Sequence, residues 1–197
     1  MKKRKVGIMG GTFDPIHLGH LLAGECAREG AGLDEVWFVP VFLPPHKEQT
    51  PGADSRQRWE MVCLAVEGNP YFRPIDVEIA KGGKSYSIET VQILQQRYPD
   101  LLFSYIIGAD MVQYLPNWHR IDELVRRIGF IGLKRPGTEI RWDLLPEHIR
   151  SCVTIVDMPS VDISSTVIRE RLKTGHSVRY MVPDKVRLYI EEEKLYG

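Results

Sequence analysis

No stretch of this chain approaches the ~20 consecutive apolar residues needed to cross a bilayer. Charge of one sign is also lacking: 26 Lys and Arg meet 26 Asp and Glu, for a formal net charge of zero. A protein that grips a nucleic-acid duplex usually carries a basic excess, so the balance disfavours that partner. Cysteine is scarce: Cys26, Cys63 and Cys152 are odd in number, widely spaced and without a CxxC pair. This argues against a disulfide framework and reads as buried, reduced thiols, which suit a reducing cytoplasm. Lys2–Lys5 mimics the basic start of a leader, but the apolar run behind it is short and soon meets Asp14 and His17. Internal repeats, low-complexity tracts and long linkers are absent as well. The 197 residues, 43% of them hydrophobic, suit one domain over 1–197 with a sizeable core. A cytoplasmic protein without membrane or nucleic-acid partners is expected.

What the chain does have begins at Lys5 and ends at His20, in KVGIMGGTFDPIHLGH. Val6, Ile8 and Met9 read as a buried strand, Gly10 and Gly11 break it, and a helix begins from Pro15 onward. A strand that turns through glycines into a helix N-terminus aims backbone N–H groups at one point, which attracts phosphate. His17 and His20 are three apart, so on a helix they share a face, and imidazole is readily poised as a donor near neutral pH.

Downstream, apolar runs alternate with segments of helical spacing. Strands are expected over 35–42, 72–79, 101–107, 130–133 and 151–156. Helices are expected over 18–28, from Asp54 or Ser55 to 67, from a Ser87 cap to 98, over 118–127, over 164–173, and from Pro183 to the end. The alternation predicts an α/β fold: a single Rossmann-like, doubly wound domain with a mainly parallel sheet and helices on both faces. The terminal helix carries an apolar face that fits either burial in the protomer or a homo-oligomer contact.

In such a fold ligands sit past the carboxyl ends of the strands, and the polar clusters fall there. Ser164-Ser165-Thr166 opens a helix, and Arg169 follows Thr166 by three on the same face. Hydroxyls, free N–H groups and a guanidinium together could cradle a phosphate chain; an ordinary cap with a solvated arginine is the plainer alternative. His17 and His20 also admit a zinc reading with Asp110 as third ligand, or a purely structural one. Arg56, Arg58 and Arg120 read as solvated helix faces.

Gly10-Gly11-Thr12-Phe13-Asp14-Pro15-Ile16-His17-Leu18-Gly19-His20 resembles the first signature of the HxGH nucleotidylyltransferase superfamily, and Ile163-Ser164-Ser165-Thr166-Val167-Ile168-Arg169 resembles its second. Pro45-His46-Lys47, Ser85-Tyr86-Ser87, Gly108-Ala109-Asp110, Asn117-Trp118 and Arg135-Pro136-Gly137 look like the bacterial nicotinate-nucleotide adenylyltransferase branch. Ser87 and Glu89 stand where that branch has Thr and Asp, and Lys134 precedes the Arg-Pro-Gly turn. The resemblance implies transfer of AMP from ATP to nicotinic acid mononucleotide, with Mg²⁺ accompanying ATP. It implies His17, His20 and Arg169 as catalytic. It places ATP on Gly10, Gly11, Thr12, Phe13, Gly108, Asp110, Arg135, Ile163, Ser164, Ser165 and Thr166 besides those three. Lys47, Ser85, Tyr86, Thr90 and Trp118 are implied for the mononucleotide, with Trp118 stacking on its ring. A nucleotide-sensing module without turnover is the alternative from another class.

Overall fold

A computed structural model of the protein describes residues 3–43 and 51–197. Six strands, β1 (Arg4–Gly11), β2 (Glu35–Pro40), β3 (Phe72–Pro74), β4 (Leu101–Gly108), β5 (Gly129–Lys134) and β6 (Val153–Asp157), form one sheet in the order β3-β2-β1-β4-β5-β6. Every pairing is parallel. The order reverses between β1 and β4, and a crevice opens past their carboxyl ends at this switch point.

Period-two alternation splits the strand side chains between two cores. Val6, Ile8, Trp37, Val39, Phe103, Tyr105 and Phe130 face one side. Met9, Val36, Phe38, Ile106, Ile131 and Leu133 face the other. The second face is covered by α1 (Leu18–Gly30), α2 (Ser55–Val66), α8 (Ser165–Lys173) and α9 (Asp184–Glu192). The first is covered by α3 (Val77–Lys81), α4 (Ser87–Arg97), α5 (Ala109–Val112), α6 (Ile121–Leu124) and α7 (Glu147–Arg150). Burial on both faces explains why the strands read as continuous apolar runs. The terminal helix α9 buries Val186 and Ile190 within the protomer and leaves Leu188 exposed.

Several local expectations change. The strand expected over 72–79 stops at Pro74, on the edge of the sheet, and Ile75 N–H still bonds Phe38 O of β2 at 2.9 Å. The chain then makes the single-turn helix α3, held by Ala80 N–H to Asp76 O at 2.8 Å, which buries Val77 and Glu78. Tyr86, not Ser87, is the N-cap of α4, because Ser87 already has helical geometry. The region expected to be helical over 118–127 contains one turn, α6, preceded by a 3-10 turn at Leu115–Asn117. Asp54 is the cap of α2, its carboxylate accepting Gln57 N–H at 2.8 Å. Pro44, Pro45, His46 and Lys47 lie outside the described residues.

Candidate active site

β1 runs into Gly10 and Gly11, and the chain turns before α1. His17 is the N-cap of α1 with extended backbone and His20 is its third residue, so the pair does not share a helical face as the spacing suggests. The cap geometry instead stacks the rings, 3.7 Å between centroids with 24° between planes. The His17 backbone N–H donates to His20 Nδ1 at 3.2 Å. Nδ1 is therefore an acceptor, and the neutral His20 ring carries its proton on Nε2 as a donor. His17 Nδ1 is buried with no hydrogen-bond partner among the described residues. A buried polar atom without a partner is costly, and it marks where a ligand belongs.

Burial and, secondarily, the charge of Arg135 push His17 down to about 4. Burial, then His17, then Arg135 hold His20 well below the usual imidazole range. Both rings are neutral at pH 7. A side chain at Gly19 would lie 3.0 Å from His17 Nδ1 and 3.1 Å from Cε1, so glycine is what allows that ring to lie on the helix start. Phe13, buried and at φ 50°, sets its ring edge-on to His20 at 5.0 Å.

These rings open onto a cavity of about 640 Å³ that the sheet switch point provides. Of the residues expected from sequence, Gly10, Gly11, Thr12, His17 and His20 line it from the first turn, Gly108, Trp118 and Arg135 from the β4 and β5 side, and Ile163, Ser164 and Ser165 from the start of α8. The two signatures, 150 residues apart, are tied directly: Ser165 Oγ donates to Pro15 O at 2.9 Å. Ser164 caps α8, accepting Val167 N–H at 3.2 Å. Thr166 and Asp110 are exposed and Phe13 sits behind the wall; none of the three lines the cavity. Arg169 does not line it either, since its Nη1 donates to Asp14 O at 2.7 Å and its Nη2 to Thr166 Oγ1 at 3.3 Å.

On the opposite side, Trp118 is half-buried, with its ring edge-on to Tyr105 at 5.7 Å and to Phe130 at 5.9 Å while still reaching the cavity. Ser85, Tyr86 and Thr90 are not on the cavity wall. Thr90 Oγ1 donates to Glu78 Oε1 at 2.6 Å in the interior. Ser85 is buried beside Lys81, whose Nζ lies 3.4 Å from its Oγ. Tyr86 tilts over His119 at 4.3 Å.

Arg58 corrects the sequence reading. It is 1% exposed, not a solvated face, and its guanidinium donates to Thr12 O, Val41 O and Phe42 O at 2.7–2.8 Å. It ties the first turn to the segment that leaves β2. Asp14 went unassigned although its buried carboxylate organises that turn, and Gly19, Tyr105 and Asp162 also line the cavity. Only the tight histidine–glycine–histidine spacing hinted at Gly19.

A parallel α/β sheet whose switch-point cavity joins a glycine turn, a histidine pair and a serine-capped helix defines a nucleotidyltransferase site. The cytidylyltransferase-like family model matches residues 8–171. Over 195 residues the chain is 47% identical to the nicotinate-nucleotide adenylyltransferase of Bacillus subtilis, covering 98% of each. It is 46% identical over 194 residues to the protein named probable nicotinate-nucleotide adenylyltransferase of Oceanobacillus iheyensis, covering 98% of this chain and 97% of that one. Among solved structures, the Plasmodium falciparum nicotinic acid mononucleotide adenylyltransferase complexed with NaAD superimposes with a TM-score of 0.78 at 20% identity, covering 98% and 97% of the two chains, which is a likeness of fold. The chain thus belongs to the cytidylyltransferase-like nucleotidyltransferases and, within them, to the nicotinate-nucleotide adenylyltransferases, enzymes of NAD biosynthesis.

Proposed function

We propose that this cavity transfers the adenylyl group of ATP to the phosphate of nicotinic acid mononucleotide, giving nicotinic acid adenine dinucleotide and pyrophosphate. The observation that carries the reading is the stacked, neutral histidine pair, with His17 buried and its Nδ1 without a partner among the described residues. The attacking group is a phosphate oxygen that is already an anion, so the protein supplies neither nucleophile nor strong base. Its task is to hold two anions in line and stabilise charge growing on the α-phosphate and the leaving pyrophosphate. His20 Nε2–H and His17 would donate to the triphosphate, joined by backbone N–H groups of Gly10 and Gly11 and by the Thr12 hydroxyl. Ser164, Ser165 and the N-terminus of α8 would take the outer phosphates. Arg135 lies on the wall to neutralise them, and Thr166 with Arg169 stands beside them.

The described residues bring together no group of three His, Cys, Asp or Glu able to hold a metal ion. A Mg²⁺ would enter with ATP and would supply charge neutralisation at the phosphates. Phe13, Gly108 and Asp110 would face the adenosine half. Trp118 would offer its ring to the pyridine, with Ser85, Tyr86, Thr90 and Lys47 on the mononucleotide side. The described residues contain no helix long and apolar enough to cross a membrane. The free thiols of Cys26, Cys63 and Cys152 support a reducing cytoplasm as the enzyme's location in this reading.

The test supplies purified protein and MgATP with nicotinic acid mononucleotide, nicotinamide mononucleotide or phosphopantetheine, reading pyrophosphate and product mass. Turnover with the acid mononucleotide is expected. Turnover only with another acceptor would overturn the acceptor assignment, and ATP binding without pyrophosphate release would favour a sensing role.

A further inference from the structure

Asp14 lies at the bend between the glycine turn and His17, is 4% exposed, and has no route to solvent for its charge. A buried carboxylate must be met by donors. Gly52 N–H donates to Oδ2 at 2.8 Å, Ala53 N–H to Oδ1 at 3.0 Å, and the Tyr196 hydroxyl to Oδ1 at 2.7 Å. The Tyr196 ring lies flat against Gly52, where any side chain would meet it at 2.9 Å. Burial and the neighbouring carboxylate push the phenol pKa up, so it stays a donor at every physiological pH. Arg58 also faces this cluster, but both its Nη atoms are engaged by three carbonyls, and Nε alone is without a partner among the described residues.

Arg169 shares the cluster as an ion pair that stops short of a hydrogen bond to the carboxylate. Its Nη1 holds the main-chain oxygen of Asp14 at 2.7 Å, yet stands 3.7 Å from Oδ2 of the carboxylate. Without the Tyr196 hydroxyl, Oδ1 would keep one donor, and the Arg169 guanidinium, 3.7 Å from the other carboxylate oxygen, is a cation placed to replace the lost one. A bidentate arginine–carboxylate pair would form, and Arg169 would then be held at Asp14. We infer that Tyr196 is a positioning residue for Arg169: by donating to Asp14 it keeps the carboxylate from capturing the guanidinium, which leaves Arg169 able to turn toward the triphosphate. This rests on the proposed role of Arg169 in binding ATP.

The test measures the affinity of MgATP for wild type, Tyr196→Phe, Arg169→Ala and the double variant, with melting temperature as a check on folding. Tyr196→Phe is expected to weaken MgATP about tenfold, the order of one charge-assisted hydrogen bond, while the KM for nicotinic acid mononucleotide stays unchanged. In the Arg169→Ala background the same substitution should cost nothing further. An equal loss in both backgrounds would show that Tyr196 merely stiffens the turn, and no loss in either would also overturn the inference. Because the readout is ATP affinity, it stands apart from the acceptor assay: a wild type that binds MgATP but makes no dinucleotide would sink the proposed reaction and leave this inference to be judged on its own cycle.

Discussion

Where the first turn meets α1, polar atoms lie buried and unpartnered: His17 Nδ1 has no hydrogen-bond partner among the described residues, and both imidazoles are held neutral against their ordinary tendency. Around α3 and α4 the donors are engaged inside the protein, Thr90 by Glu78 at 2.6 Å and Lys81 by Glu89 at 2.9 Å. The contrast shows two ways of building a wall for an anion. One keeps donors desolvated and aimed before the ligand arrives, at a cost in stability, which is how preorganised charge stabilisation works. The other pairs its donors within the protein, leaves an acceptor, Glu78 Oε2, without a partner among the described residues, and stands behind a surface, chiefly the Trp118 ring, with fixed shape. If this division is right, substitutions on the two sides should differ in kind as well as in size.

The largest effect belongs to the donor side. His20→Ala should lower turnover about a hundredfold or more, the loss typical of one preorganised donor, while the circular dichroism spectrum is retained. Unchanged turnover would remove His20 from the site. Next comes stability against acid. His17 titrates near 4 in the folded protein against 6.5 in its ordinary state, so between those values the unfolded chain binds more protons than the native one. Stability is therefore full above pH 6.5 and falls as the pH drops toward 4, by about 3 kcal/mol for His17 alone. His17→Gln should flatten that limb in urea titrations; an identical slope would place the proton uptake elsewhere.

On the acceptor side the effects should be smaller and confined to one substrate. Trp118→Ala should raise the KM for nicotinic acid mononucleotide about tenfold, in keeping with loss of one stacked ring, and leave ATP affinity near wild type. Equal losses on both substrates would assign the tryptophan to packing against Tyr105 and Phe130. The smallest effect on chemistry should come from Thr90→Val. It strips the hydroxyl from Glu78, whose Oε2 already lacks a partner and whose pKa burial raises. A loss of about 1–3 kcal/mol in stability with unchanged ATP affinity is expected; a change in ATP affinity would join the two walls that the comparison separates.

Much of this was legible before any coordinates. Strands rich in β-branched residues, such as Val36–Val39 and Tyr105–Ile107, have a period and composition that local sequence displays, and the glycine turn with its histidines announces an anion site by residue type alone. Val77-Glu78-Ile79 alternates like a strand, whereas the register with β2 ends at Pro74 and the chain turns into α3, which buries Val77 and Glu78. Arg58 was misplaced for a different reason. Its partners, Thr12, Val41 and Phe42, are carbonyls 46, 17 and 16 residues away, and a backbone acceptor leaves no mark in a sequence. Asp14 and Tyr196 form a pair of the same sort, visible as residue types but not as partners. The stacking of His17 on His20 depends on a cap geometry that spacing alone cannot distinguish from a shared helical face.

The partners of Asp14 carry a kinetic meaning as well. Its carboxylate and carbonyl are met by residues 38, 39, 155 and 182 positions further along the chain. Closing loops of that length costs entropy that only completed tertiary contacts return, so such contacts form slowly and late. β1 pairs with β2 across 29 residues, Val6 to Glu35, and with β4 across 97, Val6 to Phe103, so the contacts from Arg169 and Tyr196 are the longer closures. The turn that carries the histidines is therefore pinned in two stages, by Gly52 and Ala53 over distances comparable with the sheet's own pairings and by Arg169 and Tyr196 only once the far end of the chain has docked.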